Sequence, residues 1–367
     1  MNKFKKKAVT HNTPRILLCG DWRYEVYEEA MAKAMHAVGA EVIPFKVSHF
    51  FVGLSGKIQG HIPFWNPTTI KMHLALWKTI RLIKPDFLLL WRCTSISPTF
   101  LKLLKRKTNI KLLSYNNDDP FSFMAGEIVP WRYRYLWSWY LSTTLVCDKN
   151  FFYRPLNIKE AKKYGSINPT LLMPYFRPWR DRVIDLSSAE RDTFCGDVVF
   201  VGHYEADGRD LLIRCLIDAG MCIRLYGNNY WNQGQLAGYE DKLGQIREAV
   251  GEDYVRALNA SPIALCLFSK INRDEYTRRS FEIPACGTVL LSERTPAMLE
   301  IYREDLEAVY FSSHEEAVQK ARWLLANPDV RNRISLAGQR RVHQIGGSII
   351  DRADFVIKEI YRLQSQY

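Results

Sequence analysis

A chain of 367 residues is longer than one ordinary core and suits two domains of roughly 150–180 residues each. With 47% hydrophobic and 25% charged residues it has the composition of a soluble globular protein, and it carries neither a secretory h-region behind its basic amino terminus nor a run of 18 apolar residues, which argues against export by that route and against a membrane span. The net charge of +12 is uneven, with 28 Lys and Arg against 11 Asp and Glu in residues 1–180 and a balance of −5 beyond, so the first half is expected to meet something acidic: an anionic glycan, an anionic membrane surface or nucleic acid.

Residues 1–14 read as a basic tail. Arg15–Gly20 is a buried strand ending in glycine, Glu25–Val38 an amphipathic helix stopped by Gly39, and Glu41–Phe45 a second strand. This opening lacks G-x-G-x-x-G, which argues against a dehydrogenase, and it sets Gly20 and Asp21 at a strand's carboxyl end, where open α/β sheets take ligands. A glycine-rich connection over 50–65 leads to a helix over 69–83, a strand over 86–91, a helix over 98–105 and a strand over 111–115. That last strand empties into Asn116-Asn117-Asp118-Asp119-Pro120. Paired carboxylates there suit acid–base work or sugar hydroxyls, and the same residues also suit a plain polar turn.

The run Trp131–Tyr140 interleaves aromatics with cations and reads as a membrane-facing patch, a base-stacking surface or, more commonly, a helix tucked against the sheet. A strand over 144–147, a helix over 158–164 and a strand over 170–173 complete a first domain, 15–175. The proline-bearing stretch 176–194 reads as a linker. A second α/β domain, 195–345, starts over: a strand over 197–201 ends in Gly202-His203, a helix opens at Arg209, and a strand over 222–226 ends in Tyr226-Gly227 before a loop holding Asn228 and Trp231. A glycine after a strand lets backbone amides approach a phosphate, with Arg209 adding charge. Strands over 263–268 and 308–311 and helices across 314–343 follow, and 346–367 is a last helix able to pack back on the first domain. Eight scattered cysteines without C-x-x-C spacing read as reduced thiols in a cytosolic protein, with no zinc cluster. No nucleic-acid motif is recognisable.

The most informative stretch is 277–293, a short helix stopped by Gly287 and feeding a buried strand. Arg278, Arg279 and Glu282 sit there among core residues. Forked arginine donors suit a diphosphate and a carboxylate suits a ribose diol, the plain alternative being a salt bridge within the helix.

The run Arg279–Thr295 (RSFEIPACGTVLLSERT), the DVVFVG at 197–202 and the LYGNNYW at 225–231 resemble, in order, the signature of the CgeB-like (spore-maturation-protein type) glycosyltransferases. The resemblance implies GT-B architecture, two Rossmann-like parallel-sheet domains facing a cleft. It implies a UDP- or GDP-type nucleotide-sugar donor on the second domain, a glycan or lipid-linked acceptor on the first, and no metal or other cofactor. By that likeness Glu282 holds the ribose, Arg279 with Arg278 and Arg209 meets the diphosphate, and Gly202, His203, Tyr226, Gly227, Asn228 and Trp231 line the donor. Asp118 and Asp119 face the acceptor beside Gly20 and Asp21. A departure is Asp274, where relatives carry a glutamate eight positions before the ribose-binding one. The reading is a cytoplasmic enzyme, peripheral at the inner face of the membrane, with a non-catalytic glycan-binding or surface-assembly protein of the same fold as the alternative.

Overall fold

The computed structural model describes residues 13–59, 63–232 and 234–365, so the expected basic tail lies almost wholly outside the described residues. The chain divides into two compact units, one running to Met173 and resuming at Ala353, the other spanning Pro174–Arg352. No helix among the described residues is long and apolar enough to cross a membrane.

The first unit is built on six parallel strands, β1 (Arg15–Gly20), β2 (Glu41–Lys46), β3 (Phe87–Trp91), β4 (Lys111–Asn116), β5 (Lys149–Phe152) and β6 (Pro169–Leu171), in the order β2-β1-β3-β4-β5-β6. Parallel strands covered on both faces read as unbroken apolar runs, and β3 is buried at every position. Leu17, Leu88 and Leu112 on neighbouring strands pack with Met72, Leu76 and Phe100 from the helices Pro67–Ile83 and Pro98–Lys107. The helix expected from Glu25 begins as a five-residue π-helical turn, Glu25–Glu29, before Ala30–Ala37.

The strand expected over 144–147 is instead the end of a helix, Ser138–Thr144, and the turn after it. The β-branched run is satisfied there because the Thr143 and Thr144 hydroxyls donate back to Tyr140 O and Leu141 O, each at 2.7 Å. The true strand, β5, hides behind a polar residue: Asn150 is fully buried, and its amide donates to Thr144 O at 2.9 Å and Ile167 O at 2.6 Å while its oxygen accepts from the Ser114 hydroxyl.

The second unit carries five parallel strands, β7 (Val198–Val201), β8 (Ile223–Tyr226), β9 (Ile263–Cys266), β10 (Val289–Glu293) and β11 (Val309–Phe311), in the order β11-β10-β9-β7-β8. The helix Arg279–Ala285 contains Pro284, which cannot donate to Ser280 O four residues back. The Tyr302 hydroxyl donates to that carbonyl at 2.8 Å, so the proline leaves no orphan. Gly287, at φ 70, then turns the chain into β10.

The stretch expected as a linker, 176–194, is packed structure of the second unit. Arg177 and Asp181 are buried, Phe176 N donates to Gly347 O, and Ser187 caps the helix Ser188–Phe194 in a capping box with Glu190. The last helix, Ile349–Ser365, passes from the second unit into the first, where Glu359 pairs with Lys149 and Phe355 meets Phe151 edge-on at 6.4 Å.

Candidate functional site

Both sheets change direction of strand order once, between β1 and β3 and between β7 and β9, and in open α/β sheets ligands enter at the carboxyl ends beside such a point. In the second unit that point is bridged by Arg279. Its Nη1 donates to Val201 O at 3.0 Å and its Nη2 to Leu267 O at 3.3 Å, so one guanidinium clasps the ends of β7 and β9, lying over the Phe200 ring at 5.7 Å. Its Nε is buried and has no hydrogen-bond partner among the described residues, and the same holds for Asn228 Oδ1 in the loop after β8. Unpaired buried polar atoms are costly, and these two lie at the strand ends of the switch point, which makes them candidates for a site.

Two glycines let the backbone close around this place. A Cβ on Gly227 would fall 2.4 Å from both Gly202 O and Trp231 Nε1, and one on Gly202 would fall 2.8 Å from the Phe200 ring and 3.0 Å from Arg279 Nη1. Trp231 is not a donor-facing side chain. It is fully buried in the core, packs edge-on to Phe200 and Tyr204, and donates from Nε1 to Gly202 O at 2.9 Å. Tyr226 is likewise buried, beside Phe194 and the Arg247 guanidinium, and burial pushes its hydroxyl pKa up.

Arg209 reaches the same strand ends with its charge already engaged. Only 4% exposed, it bonds Asp207 through Nε at 2.8 Å and Nη2 at 2.7 Å, donates from Nη1 to His203 O at 2.7 Å, and lies 3.3 Å from Glu205. It therefore braces the loop that exposes His203 and lines a 230 Å³ cavity with Lys270, Glu293, Arg294 and His314. Asp274 is half-buried after β9, next to Arg273, which holds a left-handed φ of 47.

Glu282 is fully buried. Its Oε2 accepts from the Tyr254 hydroxyl at 2.7 Å, and its Oε1 lies 2.6 Å from Arg278 Nε and 3.7 Å from Arg180 Nη2. Asp181 joins the cluster, accepting from Arg180 Nε at 2.7 Å and from Arg177 N at 2.7 Å. Burial alone would raise the Glu282 pKa, but the Arg278, Arg180 and Arg177 guanidiniums and the Tyr254 hydroxyl outweigh it and hold the carboxylate below its usual range. Asp181 is pushed up by burial and by Glu282.

In the first unit, Asp21 follows Gly20 at the end of β1 and pairs with Arg23 at 2.7 Å. The turn is held from below by Glu28, which accepts from Asp21 N at 2.8 Å and leaves no room for a Cβ on Gly20. Asp118 pairs with Arg92, which follows β3 at a left-handed φ of 48. Asp119 corrects the expectation of a twin. It is fully buried, and its Oδ1 accepts from Phe121 N at 3.0 Å and from Asn157 Nδ2 at 2.9 Å, which makes it the brace of the turn. Arg92, Glu28 and Tyr254 were not singled out in the sequence. Arg92 directly follows the apolar strand β3, where the strand-end argument points, whereas nothing local marks Glu28 or Tyr254.

A family model described as glycosyl transferase-like matches residues 209–355. No curated protein matches the sequence. Among solved structures the chain is similar to a sucrose-phosphate synthase of Thermosynechococcus elongatus, with a TM-score of 0.71 at 11% identity over 96% of this chain and 100% of that one. It is similar to a glycosyltransferase of Rickettsia africae, with a TM-score of 0.69 at 13% identity over 96% and 98% of the two chains. It is also similar to Anabaena HepE in complex with UDP-glucose, with a TM-score of 0.66 at 10% identity over 95% and 99%. The fold is the α/β, two-parallel-sheet architecture of the GT-B glycosyltransferases.

Proposed function

We propose that this chain is a CgeB-like glycosyltransferase that moves a sugar from a UDP- or GDP-type donor to a glycan, lipid-linked or protein acceptor in the assembly of a cell-surface or spore-surface polysaccharide. The observation that carries the reading is Arg279, stretched across the ends of β7 and β9 at the switch point with a buried, unpartnered Nε. A nucleoside diphosphate leaves with growing negative charge, and a cation already fixed by two carbonyls stabilises it without reorganising and without a metal or other cofactor. Glu282 would take the ribose diol in exchange for the Tyr254 hydroxyl on Oε2 and the Arg278 contact on Oε1, and Arg278 would turn to the phosphates. Asp21 and Asp118 would face the acceptor, Asp118 as the base, oriented by its pairing with Arg92. The protein would work in the cytoplasm, peripheral at the inner face of the membrane.

The second reading, a non-catalytic glycan-binding or surface-assembly protein, is favoured by the prior engagement of Arg209 and Glu282 with their own neighbours. Donor hydrolysis separates the two. Incubated with UDP- and GDP-sugars and no acceptor, the protein is expected to release nucleoside diphosphate slowly, a leak of most transferases to water. Donors that stay intact while still binding would favour the non-catalytic reading.

A further inference from the structure

The segment Phe121–Tyr140 divides its large side chains between two faces. Phe121, Trp137 and Tyr140 are buried in a small core with Phe152. On the other face Ile128 and Trp131 are 100% and 72% exposed, with Met124 and Tyr135 exposed near them in the chain. The aromatics form two pairs: Trp131 meets Tyr135 edge-on at 6.2 Å, and the half-buried Trp139 meets Trp65 at 5.6 Å.

Trp65 stands just ahead of the helix Pro67–Ile83, whose inner face buries Met72, Leu76 and Ile80. Its outer face exposes Ile70 and Leu74 together with Lys71 and Lys78. That helix contains no acidic residue, and between Glu41 and Asp118 the chain carries twelve Lys and Arg against Asp86 alone. Arg132 and Arg134, both exposed, add the same sign beside Trp131 and Tyr135.

An exposed apolar surface with a mainly basic rim, Arg132, Arg134, Lys71 and Lys78 against the single exposed Glu127, selects its occupant. A second copy would bring the same basic rim against itself. Nucleic acid would answer the cations and stack on the rings, but the aliphatic tips of Ile128, Met124 and Leu74 offer a base nothing to stack on. An anionic bilayer answers all three: aliphatic tips enter the acyl boundary, Trp and Tyr sit at headgroup depth, and Arg and Lys meet lipid phosphates.

We infer that the exposed apolar and aromatic side chains of Met124–Tyr135, with the Trp65–Trp139 pair and the surrounding Arg and Lys, are a docking surface for an anionic lipid bilayer, entered by Ile128 and Trp131. The inference rests on the peripheral-membrane part of the reading above and not on sugar transfer. The test is co-sedimentation of the full chain with phosphatidylcholine vesicles, alone or with on the order of one third phosphatidylglycerol. The parent is expected to bind the anionic vesicles only, and less as salt rises. A variant carrying Ile128→Asp and Trp131→Ala, both exposed positions, should lose about tenfold or more in partitioning, and Lys71→Glu with Lys78→Glu a similar factor. Parent-like binding by both variants would overturn this surface and leave a peripheral protein docked elsewhere. No binding by the parent even at low salt would overturn the peripheral reading as well. A dimer in sedimentation velocity that dissociates in the first variant would make the patch an interface between copies and overturn the bilayer. Failure of donor hydrolysis would leave all of these outcomes unchanged.

Discussion

Glu282→Ala is expected to cost the second unit about 3–5 kcal/mol, the range for removing one member of a buried ion pair and leaving its partners charged. Arg278 and Arg180 would lose their shared carboxylate, and the buried Tyr254 hydroxyl its acceptor. Glu282→Gln keeps the shape and an acceptor for Tyr254 but loses the charge, so its cost should be smaller, about 1.5–3 kcal/mol. The effect depends on pH with a definite sign. Glu282 is held below the usual carboxylate range, so its contribution is whole above its unfolded pKa of about 4.3 and is lost as pH falls through the lower folded value. Asp181, raised by burial, works the other way: it opposes folding as pH rises toward its folded value. Urea midpoints check this. The gap between parent and Glu282→Gln should be widest near neutrality and should narrow by about pH 3. An unchanged gap across that window would mean that the carboxylate is not the member holding the cluster together.

Arg279→Ala is expected to slow sugar transfer about a hundredfold or more, the usual scale for deleting one preorganised donor from a site where charge develops. Turnover should fall further than donor affinity, because the contact strengthens as the sugar–phosphate bond breaks. Arg279→Lys keeps the charge but cannot reach Val201 O and Leu267 O together, and should fall between parent and alanine. Losing the clasp should also cost about 1–3 kcal/mol of stability, since two strand-end carbonyls lose a charged donor. Single-turnover rates at saturating donor separate these effects. A folded alanine variant that transfers sugar at the parent rate would make Arg279 a structural clasp and nothing more.

Much of this architecture was legible in the chain because parallel strands announce themselves. Phe87–Trp91 and Val198–Val201 are unbroken apolar runs, each closed by a polar or glycine-bearing turn. β5 was not legible because its central residue, Asn150, is saturated by partners 6, 17 and 36 positions away that only the fold supplies. The site divides in the same way. Arg279 could be found from its position beside a strand-feeding helix, whereas Trp231 and Asp119 have the residue types of a ligand site and serve as core and brace. Tyr254 and Arg180 reach Glu282 from 28 and 102 positions away, so a reading of 277–293 by itself gave Glu282 a ribose and no protein partner beyond the neighbouring arginines.

Thermal denaturation of the intact chain with UDP, GDP, CMP and dTDP sugars tests the central claim most directly, because a ligand held at the β7/β9 switch point must stabilise the fold that forms it. The expected result is stabilisation by the UDP or GDP class, about 2.7 kcal/mol at roughly 100 times the dissociation constant, and a smaller gain in Arg279→Ala. An unmoved transition with every nucleotide-sugar at millimolar concentration would contradict a donor site in this unit.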